Sequence, residues 1–169
     1  AMPREVHEKV LREIQRLITL LGMRTCTYNF DMRIDRDRNV YLMEVAPRDG
    51  GNYIPQLIRY ATGVDLVRCS VQAAMGEPIT PPAMDQGKGF LAYYAVHSLR
   101  DGVLKEIRID PEVRSRILEN HILAKPGDSV KAFTGANTTL GILLLRFDSM
   151  EQMLWHMDHG EQWIEVVLE

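Results

Sequence analysis

No run of apolar residues in this 169-residue chain reaches the roughly 18 that a membrane-spanning helix needs. Near the N-terminus the apolar residues are spaced at helical period among charges, unlike the unbroken core of a secretory signal. Cysteine is scarce. Cys26 and Cys69 stand alone, in no Cys-x-x-Cys or Cys/His metal spacing, so reduced thiols in a cytoplasmic protein are expected rather than a disulfide framework. Charge of one sign is not in excess either: the net charge of −3 argues against a nucleic-acid or membrane-surface partner. No Ser/His/Asp or Cys/His set suggests a side-chain nucleophile, and there is no internal repeat. Residues 125–128 and 135–137 contain glycine but not the pattern of a phosphate loop, and they read as turns. What the chain does have is an apolar content of 46%, enough for a real core in one domain or two small ones.

Residues 29–52 carry most of the chemistry. The polar stretch 35–39 marks a turn between two strands. A register that sets Phe30 opposite Val45, Met32 opposite Met43 and Ile34 opposite Tyr41 makes one face wholly apolar. It also sets Asp31 opposite Glu44 on the other face, which Arg33 shares. A slip of one residue would mix the faces, because side chains alternate along a strand. Directly opposed residues have Cβ atoms about 4.5–5.5 Å apart, and two carboxylates that close repel unless a cation or a proton lies between them. Such a pair on rigid strands suits a hard cation, for which Mg²⁺ is the usual occupant beside phosphate. The same residues also fit a solvated hairpin edge with its acids turned to water, and both readings stand at this point.

The rest of the chain reads as α+β. Val6, Val10, Leu11, Ile14, Leu17, Ile18 and Leu21 follow helical spacing up to Gly22. A helix is expected over 53–61, with Asn52 as its N-cap, and another over 65–75. Residues 77–88 hold three prolines and a glycine and read as a linker. The division expected is 1–78, a linker over 79–88, and a small β-rich unit over 89–169. Within the latter, 90–98 and 103–109 are predicted to form a hairpin about the turn 100–102. Residues 111–118 read as a helix, and 130–133 and 140–147 as strands. Ser149 should cap a helix running to about Met157, and 162–168 should close as a strand.

The motif residues resemble those of the ATP-grasp superfamily, which includes carbamoyl-phosphate synthetase, biotin carboxylase and related carboxylate–amine ligases. The likeness rests on Asn29-Phe30-Asp31, then Tyr41-Leu42-Met43-Glu44-Val45-Ala46-Pro47-Arg48, Gly50-Gly51, Ile54-Pro55-Gln56-Leu57-Ile58 and Ala61-Thr62-Gly63-Val64-Asp65-Leu66. It is specific over about 25–78 and loose in the β-rich second half. It implies the C-terminal subdomain of an ATP-grasp ligase. In that family ATP phosphorylates a small carboxylate, and an amine or similar nucleophile displaces the phosphate. By resemblance, Asp31 and Glu44 hold Mg²⁺ at the ATP phosphates. Arg48 is the catalytic residue that neutralises phosphoryl or acyl-phosphate charge, and Gly50 and Gly51 lie with it at the nucleotide.

Two departures bear on this. The family usually has Asn two residues after the glutamate as a further ligand, and this chain has Ala46, with Asp49 or Asn52 as substitutes to consider. The family's adenine pocket and glycine-rich loop lie upstream, and residues 1–24 hold neither. The chain is therefore expected to be part of a longer protein, with the N-terminal half as its partner. Apolar surface left uncovered by that half would favour a homo-oligomer. The alternative is a non-catalytic regulatory or binding module on a degenerate ATP-grasp scaffold.

Other candidates read as structural. His156 and His159 share a helix face near its C-terminus, where the dipole favours histidine. His97 ends a strand, and His121 is expected in a loop. Asp35, Asp37, Arg36 and Arg38 belong to the hairpin turn, and Trp155 and Trp163 read as packing residues.

Overall fold

The computed structural model describes residues 2–79 and 89–169; the greater part of the predicted linker, 80–88, lies outside them. In chain order the elements are α1 (Arg4–Leu20), β1 (Asn29–Ile34), β2 (Val40–Ala46), α2 (Ile54–Thr62), α3 (Leu66–Ala74), β3 (Phe90–His97), β4 (Gly102–Ile109), α4 (Pro111–Arg114), β5 (Ile117–Ile122), β6 (Ser129–Val130), β7 (Thr139–Phe147), α5 (Met150–Asp158) and β8 (Ile164–Leu168). The fold is α+β. The described residues form two compact units, one of residues 2–51 and 64–79, the other of residues 52–63 and 89–169.

In the first unit α1 packs on β2 of the β1–β2 hairpin and buries Val6 and Val10. Gly22, at φ 58°, ends α1 by taking the left-handed conformation that a side chain disfavours. Asn29 pairs with Ala46, Phe30 with Val45 and Asp31 with Glu44, as expected. Beyond Asp31 the register shifts. Met32 pairs with Leu42, Arg33 with Tyr41 and Ile34 with Val40, so Met43 is the extra residue of a β-bulge. The predicted pairs Met32–Met43 and Ile34–Tyr41 are thereby corrected. The bulge hands the inner face to Leu42 and Val40, which are half-buried, and leaves Met43 66% exposed and Tyr41 51% exposed. α3 begins at Asp65, whose carboxylate accepts the Arg68 N–H at 2.9 Å, an N-cap that replaces one of the helix's orphan partners.

The second unit holds two antiparallel three-stranded sheets, ordered β3-β7-β5 and β6-β4-β8. Val96, Leu104, Val113, Val130, Leu140, Leu143, Leu145, Phe147 and Trp163 form its core. Residues 140–145 of β7 are all buried, which is what a central strand covered on both faces needs. α5 packs on β3 and β7, and α2 on β3. Ser149 caps α5 as expected, accepting the Gln152 N–H at 3.1 Å. Trp163 is buried and donates its indole N–H to the His156 carbonyl at 2.7 Å. Trp155 is 45% exposed and packs at the surface against the rings of His156 and His159.

Three expectations change here. β3 and β4 do not form a hairpin: β3 pairs along its whole length with β7, and β4 pairs with β8 and β6. Between them the buried Ser98 hydroxyl donates to the Arg100 carbonyl at 2.6 Å, and Ser98 bridges to Ala132, so the chain passes from one sheet to the other. The helix predicted over 111–118 is a single turn, α4, and β5 follows it, which places His121 in a strand rather than a loop. The helix over 53–61 starts one residue later, with Tyr53 rather than Asn52 as its N-cap and no side-chain cap.

Candidate functional site

Asp31 and Glu44 are direct partners across the β1–β2 ladder, and in an antiparallel pair such residues project to the same side. Both side chains are exposed. Asn29 Nδ2 lies 3.4 Å from one Asp31 oxygen, and neither carboxylate has an ion pair among the described residues. The bulge begins immediately beyond this pair, so the ladder keeps the two acids in register while the strand bends past them. Arg33 is on the same face, opposite Tyr41.

Arg48 follows β2 and is exposed. Its guanidinium donates to the Asp49 carbonyl at 2.9 Å and has no carboxylate partner among the described residues. Gly51 is not among the positive-φ residues, and a Cβ built on it meets nothing within 4 Å. Neither backbone conformation nor packing among the described residues therefore requires glycine there.

Asp49 is engaged elsewhere. One carboxylate oxygen accepts from the Ser70 hydroxyl of α3 at 3.1 Å, and Ser70 shares a 2.6 Å hydrogen bond with buried Thr27. Its other oxygen is buried without a partner. This three-residue link ties the segment after β2 to α3. Ala46 pairs with Asn29 and offers no donor side chain. Among the described residues there is no group of three or more His, Cys, Asp or Glu placed to hold a metal. His156 is buried with Nδ1 at 2.8 Å from the Gln152 carbonyl, and His159 Nδ1 lies the same distance from the Trp155 carbonyl. Both rings are thus tied to α5 backbone through Nδ1.

In the second unit a polar chain missed in the sequence holds α2 to β5. Tyr60 donates to Glu119 at 2.8 Å, and His121 Nε2 meets the other Glu119 oxygen at 2.6 Å. The His121 ring stacks on Tyr53 at 3.7 Å with a 9° tilt. Glu119 thus holds its carboxyl below the usual range, through the bond from His121 first and that from Tyr60 second. The same bond raises the Tyr60 hydroxyl, with burial adding to it. Asn52 and Tyr53 both have left-handed backbones, at φ 54° and φ 60°. For tyrosine that costs about 1–2 kcal/mol, and the stack on His121 is the contact that offsets it. Glu119 and His121, two apart on one strand, share a face. That spacing was the available signal, hidden by the helical reading of residues 111–118.

No protein-family model matches the chain, and no curated protein does. Solved structures do. The L-amino acid ligase from Bacillus licheniformis superposes with a TM-score of 0.84 at 16% identity, covering 100% of this chain and 42% of that one. Phosphoribosylglycinamide synthetase from Anaerococcus prevotii gives 0.81 at 24% identity, covering 99% and 43%. The biotin carboxylase from Campylobacter jejuni gives 0.70 at 11%, covering 98% and 37%. The chain spans about two-fifths of the length of these ligases. The likeness is one of architecture: the chain shares its fold with a part of each of these ligases.

Proposed function

We propose that this chain supplies the metal-holding floor of an ATP-dependent carboxylate–amine ligase. The observation that carries the reading is the in-register Asp31–Glu44 pair followed at once by Arg48 and Gly50-Gly51, on a fold shared with such ligases. The donor set fits the ion. Mg²⁺ binds through one or two carboxylates and completes its shell with water and phosphate oxygens, and Asp31 and Glu44 are two exposed carboxylates with no ion pair among the described residues. When bound, Mg²⁺ would neutralise charge on the ATP phosphates.

The remaining work falls to the protein's own groups. Arg48 would hold phosphoryl or acyl-phosphate oxygens through its uncommitted N–H donors, and a preorganised arginine is effective there because its charge needs no rearrangement as the transition state forms. The Asp49–Ser70–Thr27 link would keep Arg48's segment fixed. Gly51, free of any internal demand for glycine, would let a phosphate approach the backbone. The carboxylate would react as an acyl phosphate and the amine would be the nucleophile, which agrees with the absence of a side-chain nucleophile set.

The rest of the ligase would belong to a longer polypeptide. Among the described residues of the first unit, Val6 and Val10 are the only buried apolar side chains, while Leu11, Leu20, Leu21, Met43, Val71 and Met75 are each more than half exposed. That surface is suited to being covered by the upstream half. Ala46 favours a second reading, in which the scaffold binds or regulates without catalysing.

Paramagnetic Mn²⁺, which takes the same oxygen donors as Mg²⁺, tests the floor on the chain itself. Backbone NMR signals of residues 29–33 and 42–46 should broaden first, and Asp31→Asn with Glu44→Gln should abolish this. Broadening centred on any other segment would refute the assignment.

A further inference from the structure

The second unit contains a cavity of about 610 Å³ between β3, the end of α5 and β8, within the roughly 300–1,000 Å³ of small-molecule sites. None of its lining residues is among those assigned to the function proposed above. Its polar groups are unspent. Tyr94, Arg100 and Glu161 line it, and none of their side chains has a hydrogen bond or ion pair among the described residues. His97 also lines it; its Nδ1 lies 2.8 Å from the Ala95 carbonyl, which commits the N–H to the backbone and leaves Nε2 as an acceptor. By contrast Glu165, on the same wall, is already held by Arg108 at 3.3 Å.

The charges are of opposite sign and come from different elements. Arg100 lies on the crossing between the two sheets, and Glu161 on the turn after α5, with Asp158 beside it as a second carboxylate. Burial, with Glu161 adding to it, pushes the Tyr94 hydroxyl up, so it remains a donor at neutral pH. The floor is apolar: Val96 is fully buried, and Met157 and Ile164 stand with it. Leu99, on the rim, is 85% exposed.

We propose that this cavity binds a small zwitterion with an apolar side chain, an aliphatic α-amino acid. Arg100 receives the carboxylate in a charge-assisted pair, Glu161 and Asp158 receive the ammonium, and Met157 and Ile164 take the side chain, with Leu99 closing over it. A carboxylic acid alone would leave the two acids facing it, and an amine alone would leave Arg100 unmatched. The zwitterion satisfies both, and unmatched charge is what a binding site penalises most.

The test is calorimetry on the whole chain with L-leucine, leucinamide and N-acetyl-leucine as probes. Saturable leucine binding is expected, with each derivative weaker by at least about tenfold, the scale of one charge-assisted contact. Arg100→Gln should weaken leucine by a similar factor and erase its advantage over leucinamide. Glu161→Gln should reduce its advantage over N-acetyl-leucine. Both side chains are exposed, so the fold should persist, and tryptophan fluorescence verifies it. No saturation up to about 10 mM, equal binding of all three probes, or leucine binding unchanged in both variants would each overturn the proposal.

Discussion

Gly141→Ala is expected to be among the most damaging single-methyl changes in the second unit. Gly141 lies on β7 at φ 153°, opposite both Val96 of β3 and Ile122 of β5. A Cβ there would sit well inside contact distance of the His121 carbonyl oxygen and the Ile122 Cα, and 3.0 Å from the His121 carbonyl carbon. All three are backbone atoms, so no side chain can swing away and β5 itself would have to move. Overpacking of this kind costs about 1–3 kcal/mol, and the backbone conformation adds roughly 1–3 kcal/mol for a residue with a side chain. The sum, about 2–6 kcal/mol, is a large share of the roughly 5–15 kcal/mol that holds a domain together. Gly127→Ala is the control. Its φ is 91° but its surroundings are open, so it keeps the strain and omits the clash. Both tryptophans, Trp155 and Trp163, lie in the second unit, so their fluorescence during urea titration reads this unit alone. Gly141→Ala should lower the midpoint well below that of Gly127→Ala. Equal midpoints for the two variants would refute the claim that β5 and β7 approach as closely as described.

Other outcomes follow from the same contacts. Glu119 titrates below its ordinary value of 4.5 when folded, so its contribution to stability is complete above that value and is lost as pH falls through the lower folded one; Glu119→Gln should therefore show a flatter loss of stability as pH falls below 4.5. Trp163→Phe should cost about 1–3 kcal/mol by urea titration, because it leaves the His156 carbonyl without its buried donor. Asp65→Ala removes the N-cap of α3 and should cost about 1 kcal/mol, read as faster amide exchange at residues 66–70.

The Asp31–Glu44 pairing was legible because a polar turn and strict alternation on β1 leave one register that separates acids from apolar residues. The bulge one residue away was not. Tyr41, Leu42 and Met43 are consecutive apolar residues, so either register gives β2 an apolar face, and packing against α1 decides between them. The turn at residues 100–102 is a true local signal, yet partner choice is settled by β7, whose apolar strand lies far along the chain and offers β3 more burial than β4 does. β5 was hidden because Pro111 and Glu112 do start a helix, which then stops after one turn. The Tyr60–Glu119 bond joins residues 59 apart, a separation at which no spacing rule operates. The cap of α5 at Ser149 and the stop at Gly22 were readable because each depends on a few adjacent residues.

Under the proposed function, Asp31 and Glu44 would hold the metal of a nucleotide site completed by the rest of a longer polypeptide. Mg²⁺-dependent ATP binding, measured by calorimetry on that polypeptide beside its Glu44→Gln form, tests it most directly. Binding is expected to require Mg²⁺ and to weaken at least about tenfold in Glu44→Gln. Absence of ATP binding, or binding indifferent to Glu44→Gln, would contradict it and leave the non-catalytic reading that Ala46 favours.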